Sequence, residues 1–234
     1  SQHKNTAMDS SLLNPGGEDI INYGTWIIYF RDAGPAIFYF DVSAIPPRSN
    51  IVKPELQLYV LASFSKKEIS AHVILDPDGL GKELKGGWAE NRHADVKSRK
   101  FNGVSYRCRD GRGTQASAIP WSKQGKGDIY TVMGPELSKI EISGRDIKKW
   151  VSWDVPPAVR QWVNGEIPNQ GLVLKPGGCN LRFASRETCK ESDKNGDGHD
   201  PAKAPKLLIT YAPAGQGQAD KAAAAPPAID KKQP

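Results

Sequence analysis

Sulfur and histidine are scarce in this chain: three cysteines, two methionines and four histidines among 234 residues. Cys108, Cys179 and Cys189 form no C-x-x-C pair. That spacing disfavours a zinc ribbon and c-type haem attachment, so neither haem nor a nucleotide is expected as cofactor. Cys179 and Cys189 are placed to staple a strand to the loop after it, which leaves one thiol over. An odd count fits export only if one cysteine is buried or pairs between chains. No apolar run is long enough to span a bilayer, so membrane insertion is not expected. No G-x-S-x-G elbow and no H-E-x-x-H helix occurs, and the four histidines are too separated to declare a triad. A recognition helix and a stacking-platform motif are also missing, so nucleic acid is not an expected partner. No leader is visible. The polar start "SQHKNTAMDS" reads as a mature terminus after cleavage, which places the protein outside the cytoplasm: extracellular, at the cell surface or in a periplasm-like compartment.

What is present is glycine (23), proline (18) and a modest positive charge of +6. The lysines and arginines are scattered among acids, as in "SFSKKE", "VKSRK" and "YRCRDGRG". Such mixing describes a solvated surface, although a basic stripe could meet an acidic polysaccharide. Amphipathic helical periodicity is weak, and short alternating runs separated by turn residues predict strands. In "AIFYFDV", Ile37, Tyr39 and Asp41 share one face while Phe38, Phe40 and Val42 share the other. "ELQLYVL" puts Leu56, Leu58 and Val60 together. "TWIIYF", "EISAHVIL", "LSKIEIS", "KKWVSWDV", "GLVLKP", "NLRFAS" and "PKLLITYAP" read likewise, and "SAIPPRSN" interrupts them with prolines. Trp26, Trp150 and Trp153 lie in such runs and read as core or sheet-face residues.

One helix is signalled, over about residues 156–164. Asp154 is the candidate N-cap, Pro156 and Pro157 suit the first turn, and Gly165 suits the position past the end. Val159, Trp162 and Val163 give it one apolar face. Residues 1–19 read as a loose arm with one short strand near Ser11 to Leu13, and 20–213 as the folded domain. Residues 214–234 form an Ala/Pro-rich tail too poor in apolar surface to fold alone. The Gly/Arg-rich stretch from Asp76 to Gly134 is long for a loop. It must either serve a function or hide short strands.

"DKNGDGHD" resembles the opening of a calcium loop. Asp193, Asn195, Asp197 and Asp200 are hard oxygen ligands, with Glu187 and Glu191 nearby. The twelfth position, where such a loop takes a bidentate carboxylate, is Ala204. A structural calcium ion therefore competes with a plain Asn-Gly/Asp-Gly turn.

The order of the pieces is more distinctive than any one of them. "NYG" precedes a strand; "IFYFDVSAIP" leads to "KPELQLYV"; "GGWAE" precedes "GVSYR" and a later "PW". "WDVPPAVRQWVNGEIPNQGLVL" leads to "LRFASRE" and finally "PKLLITY". Over roughly Ala7 to Pro213 this order resembles the DNRLRE-type, or disaggregatase-related, domain. That domain is similar to a carbohydrate-binding-module family with a jelly-roll sandwich like the TGF-β propeptide. The resemblance implies an all-β jelly-roll β-sandwich with one short helix, long loops and Trp162 as a core anchor. It also implies an exported module, some relatives of which bind acidic polysaccharides such as alginate.

Polysaccharide binding calls for exposed rings beside cations. Trp88, Tyr106 and Trp121 lie in the Gly/Arg-rich stretch near Arg107, Arg109 and Arg112. These six are the binding candidates, against the alternative that each ring closes the sandwich edge. The leading expectation is thus a non-catalytic polysaccharide-binding module. A second is a structural or bridging subunit joined to other protein subunits through its terminal arms. A polysaccharide lyase using His93, Tyr106 and Arg109 is the remote third.

Overall fold

Alternation along residues 55–61 decides which way the longest strand faces. In the computed structural model, which describes residues 2–3, 8–11, 27–30, 34–89, 103–111, 118–123, 127–177, 180–185 and 200–213, this strand is β5 (Asn50–Ser63). Leu56, Leu58 and Val60 are fully buried, while Glu55, Gln57 and Tyr59 face outward. Pro54 lies inside the strand because its carbonyl, accepting from Val155 N at 3.0 Å, sits where the neighbouring ladder ends and no amide donor is needed.

Eight strands wind between two antiparallel sheets. The first holds β3 (Ile27–Phe30), β5, β10 (Trp150–Asp154) and β12 (Leu181–Ala184). The second holds β4 (Ala36–Tyr39), β6 (Lys67–Ile74), β9 (Met133–Ile142) and β11 (Leu172–Pro176). Their spatial orders, β3-β12-β5-β10 and β4-β11-β6-β9, are the paired Greek keys of a jelly roll. β13 (Lys206–Ala212) joins β5, β1 (Gln2–His3) joins β13, and β2 (Met8–Ser11) joins β4, giving six- and five-stranded sheets. The protein is an all-β sandwich with one short helix.

The arm's strand lies at Met8–Ser11 rather than Ser11 to Leu13, and a second short strand precedes it. Both pair with the chain's own sheets, so the arm hydrogen-bonds one edge of each layer. The helix, α1 (Pro156–Val163), starts from Val155, not Asp154. Asp154 is the last residue of β10, and no side chain caps the helix. Ala158, Val159, Trp162 and Val163 pack on the sandwich core. Gly165, at φ +69°, ends the helix in the left-handed conformation its sequence suggested.

Between the sheets, Phe183 meets Phe30 and Trp153 edge to face, with centroids 5.4 and 6.3 Å apart. Trp153 Nε1 donates to Ile69 O across the sandwich at 2.9 Å, tying one layer to the other. Gly171, at φ +90°, precedes β11 where a Cβ would stand 2.3 Å from Phe38 O. No larger residue fits that backbone.

A second core explains why both faces of β4 are buried. Ile37, Tyr39, Ile74 and Val173 on the outer face of the five-stranded sheet are covered by Trp88, Val104, Trp121, Ile129 and Val132. The described residues of the Gly/Arg-rich stretch supply this cover. It contains β7 (Cys108–Asp110) paired with β8 (Ile119–Pro120). No helix among the described residues is long and apolar enough to cross a membrane.

Candidate functional site

The cover is pinned to the sheet by a buried guanidinium. Arg109, on β7, is 0% exposed. Its Nη1 donates to Gly87 O at 2.9 Å and Gln170 Oε1 at 2.8 Å. Its Nη2 donates to Leu75 O at 2.9 Å and Asp76 Oδ1 at 3.1 Å. Asp76 also accepts from Leu80 N and Gly81 N, each at 3.0 Å. Burial pulls the Arg109 pKa below its ordinary value, and Asp76 and Asp78 pull the other way. The guanidinium lies 4.9 Å from the Trp121 ring centroid.

These contacts correct three of the six binding candidates. Trp88 is 1% exposed and Trp121 0%, so neither offers a ring face to a sugar. Trp88 Nε1 donates to Gln170 O, and Trp121 Nε1 to Ser105 O. Arg109 holds four acceptors and reaches no solvent. The physical reason is the second core, which draws the rings of a Gly-rich stretch inward. A cleft of about 350 Å³ beside this hub is lined by Asp76, Gly87, Asn169 and Gln170. The Asp76 carboxylate and the Asn169 amide are engaged within the protein, and Lys82 is the cation at the cleft's edge.

Tyr106 and Arg107 remain at the surface of the cover, Arg107 exposed and Tyr106 half-buried. Tyr106 stacks edge to face on Tyr130 at 5.8 Å, and its hydroxyl donates to Asp128 at 2.7 Å. Burial, then the hydrogen bond to Asp128 and its charge, push the Tyr106 hydroxyl far above the tyrosine range. Burial and the Asp128 charge push Tyr130 up to about 12. A hydroxyl held protonated is a poor base, and Arg109 is buried away from any uronate. These two residues therefore do not fit the roles given them in a lyase cluster; His93 lies outside the described residues.

Both tyrosines have folded values above the unfolded one of about 10. The stability they contribute is complete below that pH and is lost as pH rises through the folded values. Burial, then the charge of Asp41, raise the Tyr39 hydroxyl too, so ultraviolet difference titration should find Tyr39, Tyr106 and Tyr130 ionising late, with stability declining above about pH 10. Replacing Asp128 with Asn should advance Tyr106. Uniform titration of all tyrosines at the ordinary value would contradict this.

Arg112, Cys179, Cys189, Glu187, Glu191, Asp193, Asn195 and Asp197 lie outside the described residues. Of the calcium-loop candidates, Asp200 is described. Its Oδ1 accepts from Ala202 N at 3.0 Å, starting a single 3-10 turn over Pro201–Lys203. Its Oδ2 is 3.7 Å from Lys203 Nζ.

Ring and cation also meet at the cover, where Lys175 Nζ lies 5.4 Å from the Tyr130 centroid, but more such pairs stand on the outer face of the six-stranded sheet. Trp150 on β10 pairs in register with Tyr59 on β5, and their rings meet edge to face at 5.6 Å. Trp150 is 37% exposed. Lys206 Nζ lies over its ring, 4.0 Å from the centroid, and Lys203 Nζ lies 5.1 Å from that of Tyr59. Further along β5 the register with β12 shifts, so that Ala62 faces Arg182 and Phe64 joins the same side. Phe64 is 62% exposed, with Arg182 Cζ 5.4 Å from its ring. Three rings thus stand on one face, each beside a cation.

The chain matches no family model and no curated protein.

The period-two rule could have found this face. In "WVSWD", Trp150 and Trp153 differ by an odd number of positions and must point to opposite sides. Trp153 is 0% exposed and Trp150 is not. Tyr59 stands opposite Leu58 and Val60 for the same reason. The lysines could not be found so, because a turn whose path is not periodic brings them there.

Proposed function

We propose that this chain is an extracytoplasmic, non-catalytic module that holds a cell-surface or matrix polysaccharide against the outer face of its six-stranded sheet. The observation that carries the reading is the group of Trp150, Tyr59 and Phe64, each ring accompanied by a lysine or arginine. Aromatic rings at a surface suit the apolar faces of sugar rings, and the cations suit carboxylates. A sheet supplies the rigidity, so little side-chain order is lost on binding. The resemblance of the motif order to DNRLRE-type domains points to the same ligand class and to export.

Affinity electrophoresis through gels containing a polyuronate, a neutral glucan or single-stranded DNA tests this. Retention is expected in the polyuronate. Trp150→Ala is expected to weaken it about tenfold, as for an aromatic anchor. The same change should cost less stability than truncation of a fully buried tryptophan, because 37% of the Trp150 surface already faces water. Retention by DNA alone, or polyuronate retention untouched by Trp150→Ala, would overturn the reading.

A further inference from the structure

Resting on that reading of the face, we infer that Lys203 and Lys206 are specificity-determining residues, which make the platform select carboxylate-bearing glycans by obstructing neutral ones. Their ammonium groups do not merely lie near the platform. Each covers one face of a ring, at 5.1 Å over Tyr59 and 4.0 Å over Trp150. A sugar ring and an ammonium cannot share one face of an aromatic ring, so a sugar that stacks on the covered faces displaces the lysines.

Displacement has different consequences for the two ligand classes. A neutral sugar takes the ring face and returns nothing to the ammonium, so two cation–π contacts are lost. Each is worth about two- to fivefold in affinity at an exposed site. A uronate takes the same face and offers its carboxylate to the ammonium it moved. The resulting charge-assisted bond replaces the lost contact. Discrimination therefore arises as much from a penalty on the wrong ligand as from attraction to the right one.

The surroundings support an anionic partner of defined direction. Lys203 starts from a 3-10 turn capped by Asp200, and the Asp200 carboxylate, 3.7 Å from Lys203 Nζ, is the anion that a glycan carboxylate would replace there. Lys206 opens β13 opposite Gln57, a neutral residue. Toward one end of β5 the face turns acidic: Glu55 stands opposite Asp154, although Lys53 Nζ neutralises Glu55 at 3.0 Å. Toward the other end it carries Phe64 and Arg182. A polyanion laid over Tyr59 and Trp150 is therefore favoured to continue toward Arg182 and away from Asp154.

The test compares polygalacturonate with the same polymer after reduction of its carboxyl groups, using the full chain. Lys203→Met with Lys206→Met keeps the stems and removes the charges. In the double variant, affinity for the reduced polymer should rise about four- to twenty-five-fold as both obstructions go. Affinity for polygalacturonate should fall, and the ratio between the two should shrink at least about tenfold. Trp150→Ala run alongside should weaken both polymers together. If Trp150→Ala weakens both while the double variant leaves the ratio unchanged, the selectivity role is overturned and the platform stands. If Trp150→Ala leaves both unchanged, the platform and the lysine role fall together.

Discussion

Arg109→Met is expected to lower the unfolding free energy by about 3–5 kcal/mol, the range for removing one partner of a buried ion pair. The side chains of Arg109 and Asp76 are 0% and 2% exposed. Methionine approximates the stem but donates nothing. Gly87 O, Leu75 O and Gln170 Oε1 would each lose a donor, and Asp76 would keep only Leu80 N and Gly81 N. An uncompensated carboxylate out of water is the larger part of that cost. If so, adding Asp76→Asn to Arg109→Met should restore part of the loss, a non-additivity that urea unfolding of the four proteins measures. Hydrogen exchange should place the damage first in the cover, accelerating amides of 104–111 ahead of those in β5. An Arg109→Met protein within about 1 kcal/mol of the parent would show that the hub does not hold the cover.

The sandwich was legible in the sequence because its strands obey a rule with a period of two. Leu56, Leu58 and Val60 announce a face, and that face is buried. The helix was legible in the same way, from Val159, Trp162 and Val163 and from the glycine that ends it. Its first residue was not, because Asp154 is held in the β10 ladder opposite Glu55 and cannot turn back to cap. The cover was illegible for a different reason. Trp88, Arg109 and Trp121 come together with Gln170 over separations of many residues. Loops that pack through isolated rings carry no period, so their aromatics look exposed when written as a string. The binding face sits between these cases. Tyr59 and Trp150 follow the alternation, whereas Lys203 reaches Tyr59 from a turn fixed only by Asp200.

The opposite behaviour of two tryptophans follows from these placements and separates core from platform. Trp121→Ala is expected to cost about 3–5 kcal/mol, as for truncation of a buried tryptophan. The indole fills the second core against the outer face of the five-stranded sheet, donates to Ser105 O at 3.0 Å, and lies 4.9 Å from the Arg109 guanidinium. Alanine leaves a cavity, an acceptor without its donor and a buried cation without its ring. Yet none of these groups belongs to the six-stranded sheet, so glycan retention per folded molecule should match that of the parent. Trp150→Ala should do the reverse, since its ring is partly exposed and closes no cavity. Urea midpoints and electrophoretic retention, read on both variants, make the comparison. Were Trp121→Ala to lose retention at an unchanged midpoint, the ring would be acting as a sugar platform, and the carbohydrate site would move from the sheet face to the cover. If the pattern holds, the glycine-rich cover serves the second core, and the outer face of the six-stranded sheet serves the ligand.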